Sequence, residues 1–152
     1  MKLSIKLLAM LCLILSITSC KEKNLPEFVK VNPAFSQYIL GFNSGVISRS
    51  SAFTIKLSKK SKKFTETDAK LEEKVFSFNP SVEGVAYWKD AETIVFKPAK
   101  ALKSDQKFDV SFLLGELLDL SEKFQEFNYS VRTNKQSVYV NVDGIKPYNE
   151  KD

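Results

Sequence analysis

Phe108-Asp109-Val110-Ser111-Phe112 alternates apolar and polar residues without a break. A period of two belongs to a strand with one face turned to a core, whereas a helix would repeat its apolar positions every three or four residues. The same alternation recurs on both sides of this stretch. Phe53, Ile55 and Leu57 interleave with Thr54 and Lys56, Phe76 and Phe78 flank Ser77, and Val138, Val140 and Val142 enclose Tyr139 and Asn141. Tyr38–Phe42, Gly84–Trp88, Thr93–Lys97 and Glu126–Arg132 complete the predicted set.

Turn chemistry separates these runs at Asn43-Ser44-Gly45, Asn79-Pro80, Lys89-Asp90-Ala91-Glu92, Ser104-Asp105-Gln106 and Asp143-Gly144. Only Glu66–Lys74 and Gly115–Glu122 have room for helix, a turn or two each. Seven or eight short strands without βαβ spacing predict an all-β fold, an antiparallel sandwich of immunoglobulin-like type over residues 35–145. No cysteine pair is available to cross its sheets, so aromatic packing must hold it. Trp88 and the 12 phenylalanines are the expected source of that burial.

The N-terminus is of another kind. Lys2 and Lys6 are followed by a nearly unbroken apolar run from Leu7 to Ile17, which is the pattern of a secretory signal and is too short for a membrane-spanning helix. The run ends in Ile17-Thr18-Ser19-Cys20, an aliphatic residue and two small ones before a cysteine. That tetrad resembles a bacterial lipobox. The resemblance implies removal of residues 1–19, lipidation of Cys20, and attachment to a cell envelope, the outer membrane being favoured because Lys21 and not Asp follows the cysteine. Several acyl chains hold a protein far more firmly than one. Residues 20–34, with Pro26 and Pro33, read as a tether, and residues 146–152 as a polar tail.

Composition narrows the chemistry. The chain of 152 residues has no histidine and two cysteines, Cys12 within the signal and Cys20 at its end. A Ser-His-Asp or Cys-His nucleophile is therefore excluded, as is a zinc site of CxxC type. The five glycines at 41, 45, 84, 115 and 144 are scattered and form no phosphate loop. Carboxylate pairs at Glu116 and Asp119 or at Glu72 and Glu73 sit in polar connections, where a solvated role is the expectation. No catalytic, metal or cofactor-binding residue is predicted, and the expected function is non-enzymatic. Without Lys2 and Lys6 the 23 basic residues become 21 against 18 acidic, a net charge of +3, which gives no footing for nucleic acid as a partner. One cluster stands out, Lys59-Lys60-Ser61-Lys62-Lys63. It reads either as a solubilising hairpin or as a contact for an anionic surface.

Three further stretches occur in a set order: Gly45-Val46-Ile47-Ser48, then Phe76-Ser77-Phe78-Asn79-Pro80-Ser81-Val82-Glu83-Gly84, then Phe96-Lys97-Pro98-Ala99-Lys100-Ala101-Leu102. Behind a lipobox, this order resembles the N-terminal domain of bacterial alpha-2-macroglobulin lipoproteins. The resemblance implies a membrane-anchored scaffold domain of a protease-trapping family, with further macroglobulin-like domains from a downstream reading frame as candidate partners. It carries over no functional residue except Cys20, because the chain has no Cys-x-Glu-Gln thioester sequence. A free-standing immunoglobulin-like adhesin or envelope-binding lipoprotein is the alternative.

Overall fold

A computed structural model describes residues 27–137. They form two four-stranded sheets built from β1 (Ile39–Phe42), β2 (Gly45–Ile47), β3 (Phe53–Leu57), β4 (Phe76–Asn79), β5 (Gly84–Asp90), β6 (Thr93–Pro98), β7 (Lys107–Leu113) and β8 (Glu126–Thr133). One sheet has the order β1-β3-β6-β5, the other β2-β8-β7-β4. This is the immunoglobulin arrangement, with β3 to β8 in the positions of strands B to G and the first strand split between the sheets.

The alternation fixes which side chains enter the core. Phe53, Ile55 and Leu57 of β3 oppose Phe108, Val110 and Phe112 of β7, and every one of them is buried. Phe127, Tyr129 and Val131 do the same from β8. Ring pairs tie the layers together: Phe53 meets Phe78 at 4.8 Å and Phe42 meets Phe127 at 5.1 Å between centroids. A fully enclosed ring, such as Phe53 or Phe127, contributes roughly 1.5–3 kcal/mol of burial, and the half-buried Phe42 and Phe78 less. Trp88 is 3% exposed, edge-on to Phe64, and so belongs to the core.

The structure departs from the sequence reading in three places. Gly45, expected inside a turn, opens β2, which pairs in parallel with Val131–Thr133 of β8 and is the one parallel pair among the described strands. Gly45 has φ +68°, a conformation that a glycine adopts without strain, and the sharp change of direction there moves the chain from one sheet to the other. Glu66–Lys74 forms no helix. Its backbone lies against the outer edge of β5 instead: Asp68 and Leu71 donate to the carbonyls of Trp88 and Ala86, and Trp88 donates to the carbonyl of Ala69. An exposed sheet edge is a template for unwanted pairing, and this segment covers it. Gly115–Glu122 contains only short 3-10 turns, at Leu114–Glu116 and then Glu122–Phe124.

The tether is also partly docked. A 3-10 turn at Pro33–Gln37, capped by the Asn32 side chain, places Phe35 in the core against Phe124 and Phe127. Upstream, Val31 packs on the core and the Val29 N–H donates to the Ser130 hydroxyl. Val138–Val142, Cys20 and the lipobox lie outside the described residues.

Candidate functional site

The four lysines occupy the connection that leaves β3 and returns at β4, and Ser61 at their centre determines how they are displayed. The loop contains no second strand, so the lysines do not form a hairpin. Ser61 is buried. Its N–H donates to the carbonyl of Ala91 at the tip between β5 and β6, and its hydroxyl donates to the carbonyl of Leu117 at 2.9 Å. The same hydroxyl accepts from the Lys63 N–H. With the central residue held inward, Lys59, Lys60, Lys62 and Lys63 are all exposed around it.

A groove of about 600 Å³ separates these lysines from Gly115–Leu120. Its opposite wall carries Glu116 and Asp119, so it is not a purely cationic surface. Lys62 approaches Asp119 at 3.8 Å with both side chains almost fully exposed. Lys63 contacts Glu73 at 3.0 Å, and that hydrogen bond holds the Glu73 carboxyl below its usual range. Exposed pairs of this kind contribute little to stability. Of the carboxylates singled out from the sequence, Asp119 is 98% exposed and Glu73 is 43% exposed, both open to solvent.

A second groove, of about 460 Å³, was not anticipated from the sequence. It lies on the outer face of the β1-β3-β6-β5 sheet, where Val85 and Tyr87 alternate with the inward Ala86 and Trp88, and Lys70, Lys97 and Pro98 border it. The only sequence signal is that alternation, which assigns Val85 and Tyr87 to the solvent side without saying that they line a hollow. Among the described residues no group of three or more His, Cys, Asp or Glu is arranged to hold a metal ion. No helix of the described residues is long and apolar enough to cross a membrane.

No protein-family model matches the chain, and no curated protein matches it. The sandwich and its grooves therefore stand on their own geometry.

Proposed function

We propose that the chain is a lipid-anchored, non-enzymatic immunoglobulin-like module that works at a bacterial envelope by contact and not by turnover. The observation that carries this reading is Ile17-Thr18-Ser19-Cys20 at the end of a charge-free apolar run. Supporting it, the described residues form a sandwich whose grooves are open and of mixed charge, a surface suited to touching a partner rather than enclosing a substrate. The role is that of a scaffold or spacer, as the resemblance to the first domain of bacterial alpha-2-macroglobulin lipoproteins implies.

Two measurements test the two halves of the proposal. Mass analysis of the mature N-terminal peptide is expected to find Cys20 at the terminus bearing acyl chains, and an unmodified peptide that begins elsewhere would refute the anchor. Translation of the DNA that follows the gene is expected to yield macroglobulin-like domains; unrelated genes there would remove the protease-trapping affiliation and leave the anchored module.

A further inference from the structure

The two ends of the sandwich differ in charge, and the difference runs opposite to what the lysine cluster suggests. At the cluster's end lie the connections 58–65, 72–75, 91–92 and 114–125, residues 66–71 running instead along the edge of β5; together they hold six lysines and six carboxylates, a net charge of zero. At the other end lie the connections 48–52, 80–83 and 99–106 and the exit 134–137. These hold Arg49, Lys100, Lys103 and Lys135 against Glu83 and Asp105, a net charge of +2. Asp105 is moreover occupied by Arg132 of β8 at 2.9 Å. The Arg49 guanidinium donates to two neutral acceptors, the carbonyl of Leu102 and the side-chain oxygen of Gln136, and to no carboxylate among the described residues. Lys100 and Lys103 border a groove of about 390 Å³ beside Ser81.

The N-terminal segment leads toward this second end. Traced backwards from Phe35, which touches Phe124 and Phe127 before and at the start of β8, the chain reaches Ser130 by Val29. It thus runs beside β8 in the direction in which β8 itself runs, as far as Ser130, three residues short of Thr133 and the basic end. From Ser130 to Thr133 is about 10 Å. Between Glu27 and Cys20 the chain spans at most about 25 Å. Docking of residues 29–34 therefore shortens the free tether to about half of what residues 20–34 would allow.

From this the geometry points to a docking surface: the end of the sandwich carrying Arg49, Lys100, Lys103 and Lys135 rests on anionic lipid headgroups of the membrane that holds Cys20. The inference rests on the anchored reading above. Reach alone admits either end of the sandwich; charge complementarity and the direction of the docked segment select the basic one. A single lysine or arginine near an anionic surface shifts partition by about fivefold, so four act on the order of a hundredfold or more when the anchor has already placed them there.

Lysine footprinting tests it on the full mature protein, reconstituted through its own anchor into vesicles of phosphatidylcholine with or without phosphatidylglycerol. A water-soluble amine reagent is applied, and modification is read by peptide mass. Lys100, Lys103 and Lys135 are expected to be protected severalfold in the anionic vesicles only, with protection lost at about 1 M salt, where screening acts within about 3 Å. Lys59, Lys60, Lys62 and Lys63 should react equally in both. Protection at Lys59–Lys63 instead, protection indifferent to lipid charge, or protection that persists in detergent and so reports an acidic protein partner or self-association, would each overturn the docking. The N-terminal peptide in the same digest separates the two ideas. Acylated Cys20 with Lys100 and Lys103 unprotected defeats the docking alone, whereas an unacylated terminus defeats the anchor.

Discussion

The hydroxyl of Ser61 donates to the carbonyl of Leu117 at 2.9 Å, joining two loops 56 residues apart in sequence. Both residues are buried, so the bond satisfies a carbonyl that water cannot reach. Ser61→Ala is expected to lower stability by about 1–3 kcal/mol, the cost of leaving a buried acceptor unpaired. Replacing exposed Lys59 or Lys60 by Gln should change it by no more than about 0.5 kcal/mol. Urea midpoints compare the three, and a serine variant as stable as the lysine variants would show that the loop is held by something else.

The Lys63–Glu73 contact makes the opposite case. Its side chains are 46% and 43% exposed, so solvent screens the pair and Lys63→Gln should cost well under about 1 kcal/mol at neutral pH. The bond from Lys63 depresses the Glu73 carboxyl, so the stability it contributes is present above the unfolded carboxylate value of about 4.3 and is lost as pH falls. Acid unfolding of the wild type and the variant should therefore converge at low pH. Curves that diverge instead would mean that the pair is not what couples Glu73 to the fold.

Tyr129 lies in the core with its hydroxyl unpartnered among the described residues, and burial pushes that hydroxyl well above its ordinary range. Ionisation is thus open to the unfolded chain at about pH 10 but not to the folded one. Folding stability should fall above that pH by up to about 1.4 kcal/mol per unit, since the native state keeps the proton. Tyr129→Phe is expected to remove this component of the alkaline slope and to be neutral or stabilising at pH 7. A loss of more than about 1 kcal/mol at pH 7 would reveal a hydrogen-bond partner that the hydroxyl depends on.

These tests bear on what the sequence could and could not disclose. Period-two alternation in Phe53–Leu57 and Phe108–Phe112 reports burial directly, so the sandwich was legible there. β2 was not, because three residues with only Ile47 buried make no pattern; the strand exists through pairing with Val131–Thr133 of β8. The docked path of residues 29–34 was hidden for the same reason, since it depends on Ser130, a hundred positions away. Charge is legible only in part. Four lysines within five residues dominate the linear sequence, yet folding sets Glu73, Glu116 and Asp119 beside them, while the connections that carry Arg49, Lys100 and Lys135, far apart in the chain, share the other end.

Gly84, where β5 begins, pairs with Pro98 of β6 and lines the outer-face groove. A β-carbon there would collide with the Lys97 carbonyl oxygen and lie 2.6 Å from the Phe96 ring. The carbonyl belongs to the neighbouring strand and cannot rotate aside, so Gly84→Ala must part β5 from β6 and also displace a ring that packs on Phe76 and Phe78. Overpacking of this sort typically costs about 1–3 kcal/mol. Gly41→Ala is the control: its added carbon meets only the Lys56 β-carbon at 3.7 Å, an ordinary contact, so stability should change little. Thermal unfolding of the two variants decides the matter, and equal midpoints would mean that β5 and β6 sit farther apart at their ends than this register places them.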